Sequence, residues 1–433
     1  MRAKAGTRMS KNVMSIVVGQ GANFLLQALY FVVLARVLGA TEYGVFSGVF
    51  ALVNALTPYT TLGSGLLFLR YVSLDRTQAK VYWGNALLTA FVLSLVMAGL
   101  LLFLGPILTG TKAPMLFVVL SIANGFMFQV AAMAGQVFQT YEQMKTMATL
   151  GFLTNFCRFV AVVALFFTIH KANAWVWGLA VLGASTAAAI LAAWRVHLKI
   201  GAPRFDVGLI WRHAGEGFGF SFAGTTQAVY NDIDKTMLSK YGYTTENGFY
   251  SLAYRIVEFA TTPIVALDVA LLPGYFQMKP GDLVQVMKRM MRSLRIGILA
   301  GVAVALATML FAPLVKSMAG PSFQGAIFVL RWICWLPMLR AVHRMTGIAL
   351  TGSGNQKLRT MAQCAVAIFN VGLNLLWIPH YGWHGAAWSS LASDGLLGVL
   401  NFLLLWYVSR KAGAQLDLLP ALVLDAETEL PSD

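Results

Sequence analysis

Charge is what this chain has least of. Only 11% of its 433 residues are Asp, Glu, Lys or Arg, while 58% are hydrophobic. Soluble domains carry about a quarter charged residues, so a string of two or three soluble domains is excluded. Cysteine is scarce as well. Cys157, Cys334 and Cys364 all fall within apolar runs, which leaves no disulfide framework and no paired Cys/His zinc spacing. Acidic residues are outnumbered 17 to 32, for a net charge of +15. In a soluble protein that surplus would suggest nucleic acid. Here it fits basic loops on the cytoplasmic face of a membrane, and no nucleic-acid partner is expected.

What the chain does have is apolar runs of about 20 residues, the length that crosses a bilayer. The predicted spans are Val13–Leu38, Val45–Phe68, Val81–Leu104, Pro114–Phe138, Thr146–Ile169, Ala174–Trp194, Gly217–Leu238, Phe249–Tyr275, Leu294–Met318, Ala326–Leu350, Met361–Ile378 and Gly385–Val408. The start, Met1 to Asn12, is basic like a signal-peptide n-region. The apolar run after it is too long for an h-region and lacks a small-residue cleavage site, so it reads as a retained first helix. With that end inside, one face collects the clusters Arg2/Lys4/Arg8/Lys11, Arg70/Arg76/Lys80, Arg195/Lys199/Arg204/Arg212, Lys288/Arg289/Arg292/Arg295 and Arg410/Lys411. The other holds only Arg36, Lys112, Lys171, Lys240 and Lys316. The expectation is a multi-pass membrane protein with both termini cytoplasmic.

The halves echo each other. LGATEYGVFS (Leu38–Ser47) follows the first span and YGYTTENGFYS (Tyr241–Ser251) the seventh, aligning Glu42, Gly44, Phe46 and Ser47 with Glu246, Gly248, Tyr250 and Ser251. QMKTMA (Gln143–Ala148) is echoed by QKLRTMA (Gln356–Ala362). Six spans per half return the second half in the same orientation. The expected fold is therefore all-α: about twelve transmembrane helices in two six-helix pseudo-symmetric lobes around a central cavity. The domains read as 1–198 (N-terminal lobe), 199–216 (cytoplasmic linker), 217–411 (C-terminal lobe) and 412–433 (disordered acidic tail). The linker and the segment Lys279–Arg295, with Val284, Met287 and Met291 beside Lys288, Arg289 and Arg292, read as lying along the inner surface. Anionic headgroups would attract them there; guiding an anionic lipid-linked substrate is the alternative.

Charged and amide side chains inside apolar runs are costly and mark function or pairing. Gln20, Asn23 and Gln27 share one face of the first span; Gln227, Asn231 and Asp234 share one face of the seventh. Both stripes suit a shared polar cavity, or interhelical hydrogen bonding. Asp232 and Lys235 are spaced i, i+3, as are Arg255 and Glu258, which suits local ion pairing. Arg158 has no local partner. Arg340 and Arg344 share a face after Pro337, with His343 between them, and guanidinium groups match phosphate oxygens; snorkelling to headgroups is the other reading. Asn370 and Asn374, and Ser390 and Asp394, offer oxygens that suit a small hard cation. Catalytic signals are absent. GPILTGTK (Gly105–Lys112) has the wrong order for a phosphate-binding loop, and GFGF (Gly217–Phe220) opens a membrane helix instead of following a strand.

LGATEYGVFS, IDKTMLSKYGYTTENGFYSLAYRI and the late run TGSGNQK…NVGLNLLWIPHYGWHGAAWSS resemble the polysaccharide-repeat flippases of the multidrug/oligosaccharidyl-lipid/polysaccharide exporter superfamily. The resemblance spans the first to the twelfth helix. It implies a non-enzymatic transporter that moves undecaprenyl-diphosphate-linked oligosaccharide units across the cytoplasmic membrane for exopolysaccharide or O-antigen assembly. Membrane lipids, a polysaccharide polymerase and export proteins would be its partners. On that reading Arg340, Arg344, Arg158 and Arg255 contact diphosphate or acidic sugars, while Gln20, Asn23, Gln27, Gln227 and Asn231 line the sugar path. Asp234, Asn374 and Asp394 look similar to the cation site of related peptidoglycan-precursor flippases. No cofactor is implied beyond a coupling cation, sodium or proton. The alternative is a cation-coupled multidrug exporter of the same architecture.

Overall fold

A computed structural model describes the backbone at residues 2–169, 171–278 and 282–428, and side chains from 23 to 411 apart from residues 24, 170 and 279–281. The described residues form helices and short connections. Ten segments are long and apolar enough to cross a membrane. The first of these, Leu25–Leu74, is 50 residues long and carries the later part of the first predicted span and the whole of the second. They are joined without a loop. Helix α1 (Arg2–Thr61) breaks only at Gly39, where φ is 71° and ψ 171°, a conformation open to glycine and strained for other residues. A second break at Leu62 and Gly63 leads into α2 (Ser64–Leu74).

The seventh predicted span lies in α8 (Val207–Lys240). That helix is not among the ten apolar segments, consistent with the charges of Asp232, Asp234 and Lys235. The remaining spans are α3 (Ala79–Thr109), α4 with α5 (Pro114–Leu120 and Phe128–Thr140), α6 (Met144–Thr168) and α7 (Ala174–Ile200). Then come α9 with α10 (Thr244–Ala260 and Thr262–Phe276), α11 (Leu283–Phe311), a short α12 (Leu314–Ala319), α13 with α14 (Gln324–Ile333 and Leu336–Gly352), α15 (Gln356–Tyr381) and α16 (Trp383–Thr428).

Two connections are shorter than the sequence suggests. The linker expected at 199–216 reduces to six residues, because α8 starts at Val207. Asp206 caps it by accepting from Leu209 N, and Asn85 exchanges two hydrogen bonds with the Asp206 backbone at 2.8 and 2.9 Å. In α11 the stripe that packs inward is Leu283, Val286 and Met290, leaving Val284 and Met291 exposed. At the other end, the disordered tail predicted from 412 is instead helical backbone as far as Thr428. Residues 429–433 lie outside the described residues.

Contacts divide the chain into two compact units. The first holds Met1–Arg255, Pro313–Val329 and Asn374–Ala386; the second holds Ile256–Ala312, Leu330–Leu373 and Ala387–Asp433. The division does not fall at the predicted linker. Helix α8 and most of α9 belong to the first unit, where Asn54 Nδ2 donates to Asp232 Oδ2 at 3.0 Å and Asn247 Nδ2 donates to Gly44 O at 2.9 Å. One core of the first unit packs Phe68, Val72, Tyr82 and Trp83 against Val137, Phe138, Val196 and Ile200. In the second unit Tyr275, Val286 and Met290 pack against Met345, Ile348, Leu350 and Leu405.

Candidate functional site

Within the first unit, α1, α6, α7, α8 and α9 enclose a cavity of about 240 Å³. Its walls are unusual for a membrane interior because they carry charge. Arg158, Lys235 and Arg255 line it with a single carboxylate, Asp232; among its amides are Gln27, Asn54, Asn124 and Asn155. Each cation lies against an aromatic ring: Arg158 over Phe128 at 4.5 Å, Lys235 over Tyr254 at 4.0 Å, Arg255 over Phe31 at 5.1 Å. A ring face attracts a cation without cancelling its charge.

The Asp232–Lys235 spacing predicted an ion pair, and one is present at 2.6 Å. Lys235 Nζ also donates to the Asn231 carbonyl at 2.9 Å. Asp234 points elsewhere. Its Oδ2 accepts from Tyr250 Oη at 2.6 Å, its Oδ1 accepts from Lys235 N at 2.8 Å, and the Lys235 ammonium is 3.8 Å away. Asp234 is buried but does not line the cavity.

Of the predicted substrate-contacting residues, Gln27, Arg158 and Arg255 meet at this cavity. Asn23 supports it from behind, accepting from Asn155 Nδ2 at 2.8 Å. Asn231 takes part through its carbonyl, and Gln227 is exposed. The Gln20 side chain lies outside the described residues. Arg340 and Arg344 belong to the second unit and already hold carboxylates. Arg340 Nε is 3.2 Å from Asp394 Oδ2, with His343 Nε2 3.7 Å from the other oxygen, and Arg344 Nη1 is 3.0 Å from Asp268 Oδ2. Asp394 is thereby joined to a guanidinium, whereas Asp234 and Asn374, the other members of the expected cation set, belong to the first unit. Among the described residues no three His, Cys, Asp or Glu side chains are grouped to hold a metal ion.

The sequence reading passed over Asn54, Asn124 and Asn155. Each is an amide within an apolar run, a signal that marks buried polar function; Asn155 also stands i, i+3 from Arg158 on one helix, a spacing that could have found it.

This arrangement of helices has counterparts. An inward-facing multidrug resistance MATE family transporter of the MOP superfamily superposes with a TM-score of 0.72 at 16% identity, over 90% of this chain and 96% of that one. The lipid II flippase MurJ, in an inward closed conformation, gives 0.71 at 12% identity, over 96% and 93%. A MOP superfamily transporter from Pyrococcus furiosus, described as having a binding pocket of reverse polarity that suggests a different function, gives 0.58 at 15%, over 92% and 95%. No curated protein matches the chain by sequence. The fold is that of the MOP superfamily transporters. A family profile, polysaccharide biosynthesis protein, matches residues 9–279, and the chain belongs to that family.

Proposed function

We propose that this protein moves a lipid-linked oligosaccharide, joined to its undecaprenyl carrier through a diphosphate, across the bacterial cytoplasmic membrane by alternating access. The observation that carries this reading is the cavity lined by three cations and one carboxylate, with amides between them. Amides and aromatic faces suit sugar hydroxyls and ring faces, and guanidinium groups suit acidic sugars or phosphate. The cavity is smaller than the ~300–1,000 Å³ typical of sites that enclose a whole drug-sized ligand. It therefore grips one part of a larger substrate. Membership of a polysaccharide biosynthesis family and the fold shared with a lipid II flippase support the same reading. The basic loops then face the cytoplasm with both termini, and a proton or sodium gradient supplies the energy.

A second reading, export of drugs coupled to a cation, is favoured by the aromatic wall of Tyr30, Phe31, Tyr43, Phe46, Phe50 and Phe128. Most such drugs are cations, and this lining repels them. The test is reconstitution of the purified protein in liposomes with a fluorescent undecaprenyl-diphosphate oligosaccharide on one leaflet. Appearance of the glycan on the opposite leaflet supports the proposal. Export of a cationic dye with no movement of the glycan would sink it.

A further inference from the structure

The fourth span is interrupted inside the membrane. Between α4 and α5, residues Ser121–Met127 form a π-helical turn. Such turns are rare in helices and occur mostly at functional sites, because the extra residue per turn re-aims side chains and frees carbonyls. Side chains from outside and inside the turn meet it. Thr60 Oγ1 lies 2.7 Å from the Gly125 carbonyl, within donating distance. Asn124 is turned onto Arg158: its Oδ1 accepts from Nη2 at 2.8 Å, and its own Nδ2 lies 3.3 Å from Leu120 O.

Arg158 is fixed from two further directions. Ser185 Oγ on α7 lies 3.2 Å from Nη2 and 3.4 Å from Nε, and Phe128, the first residue after the π turn, supports the guanidinium face. All three supports are neutral. Among the described residues no carboxylate pairs with Arg158, in contrast to Lys235, Arg340 and Arg344. A guanidinium held by neutral groups keeps its full charge and a fixed direction, which is what recognition of a carboxylate or phosphate oxygen requires.

We propose that the π turn places Asn124 as the positioning residue of an anion subsite in which Arg158 reads an acidic group of the translocated substrate. The choice of asparagine follows from charge. A neutral amide oxygen orients the guanidinium, whereas an aspartate in the same place would orient it and cancel it. The subsite rests on the transport reading above, but its chemistry can be tested apart from transport.

The full-length protein in detergent is titrated with glucuronate, with inorganic pyrophosphate and with glucose, and binding is read from the rise in melting temperature. The two anions separate a sugar carboxylate from the lipid diphosphate as the group read, and glucose controls for sugar alone. Binding of either anion by the wild type is expected. Asn124→Ala, which only loosens the arginine, should weaken it about 3- to 10-fold. Asn124→Asp, nearly the same shape but charged, should weaken it at least ~30-fold. That order is opposite to the one a merely structural asparagine would give, because the alanine leaves the larger gap. Equal anion binding in wild type and Asn124→Asp overturns the proposal, as does Asn124→Ala binding more weakly than Asn124→Asp, or a wild type that prefers glucose to both anions. If the wild type binds an anion with the expected order of variants yet moves no lipid-linked glycan in liposomes, the subsite stands and the transport reading falls.

Discussion

Thr41 Oγ1 and Thr245 Oγ1 lie 2.9 Å apart, although 204 residues separate them in the chain. They hold the same place in the two copies of the repeated motif, so the copies meet each other. The contact is reciprocal. A side chain at Gly44 would stand 1.8 Å from the Thr244 carbonyl oxygen, and one at Gly248 would stand 1.9 Å from the Ala40 carbonyl oxygen. The glutamates are equivalent too. Glu42 Oε2 accepts from Ala174 N at the start of α7, and Glu246 Oε2 from Trp383 N at the start of α16, at 2.8 and 3.1 Å. A carboxylate at a helix start satisfies a free N–H and complements the helix dipole. The repeat thus carries one task twice: close approach through glycine, and capping of the last helix of each half.

If transport requires the two motifs to part, tying them together stops it. In a protein freed of Cys157, Cys334 and Cys364, Thr41→Cys with Thr245→Cys should form a disulfide under mild oxidation, since the side chains are already within bonding reach. Movement of lipid-linked glycan in liposomes should then cease and return on reduction. Each single variant should transport normally under both conditions. Undiminished transport by the cross-linked protein would show that this contact persists throughout the cycle.

Gly44 and Gly248 have no room for a methyl group, because each faces backbone atoms that cannot turn aside. Gly44→Ala and Gly248→Ala should each cost about 1–3 kcal/mol through overpacking, visible as a lower melting temperature in detergent. Gly99, which has nothing within 4 Å of the same position, supplies the control, and Gly99→Ala should leave the melting temperature unchanged or slightly raised.

Much of this was legible in advance for a physical reason: it is local or repeated. The Asp232–Lys235 pair is written in an i, i+3 spacing, and the glycine and glutamate of the motif recur at matching positions. The cavity was legible only by half. Gln27 and Arg158 stood out as polar groups in apolar runs, but the bond from Arg158 to Asn124 joins different helices, and no periodicity connects them. The π turn has no sequence signature of its own. The partners of Arg340 and Arg344, carboxylates 54 and 76 residues away, were hidden for the same reason.

The Asp232–Lys235 pair predicts a strong asymmetry between breaking it and replacing it. Both side chains are almost fully buried, with 3% of Lys235 and 8% of Asp232 exposed. Asp232→Ala leaves an ammonium without its nearest carboxylate, and a loss of about 3–5 kcal/mol is expected. The double variant Asp232→Asn with Lys235→Met removes both charges of the pair and should recover part of that loss, as measured by melting temperature, the remainder reflecting Asp234, whose buried carboxylate loses an ammonium 3.8 Å away. It should nevertheless transport poorly, because the cavity then lacks one of its three cations. A double variant as unstable as the single one would mean that the pair acts through shape and not through charge.

In α8, just ahead of the seventh predicted span, Glu216 accepts from Tyr71 Oη at 2.9 Å and from Arg70 Nη1 at 2.5 Å. Tyr71 is itself stacked on Tyr82 at 5.6 Å, and Tyr82 Oη lies 3.2 Å from His213 Nε2, so the carboxylate closes a small polar cluster. The hydrogen bond from Tyr71, and after it the Arg70 guanidinium, hold the Glu216 carboxyl below the usual glutamate range. A group whose value is lowered on folding stabilises the protein above its unfolded value, about 4.3 for glutamate, and that stabilisation fades as pH falls through the folded value. The wild type should therefore melt above Glu216→Gln at pH 7, with the gap closing as the pH is taken below about 4.3. The site is exposed and open to screening, so the gap should also shrink in high salt. A difference that stays constant from pH 7 down through this window would assign the effect to packing of the side chain and remove the carboxylate from the account.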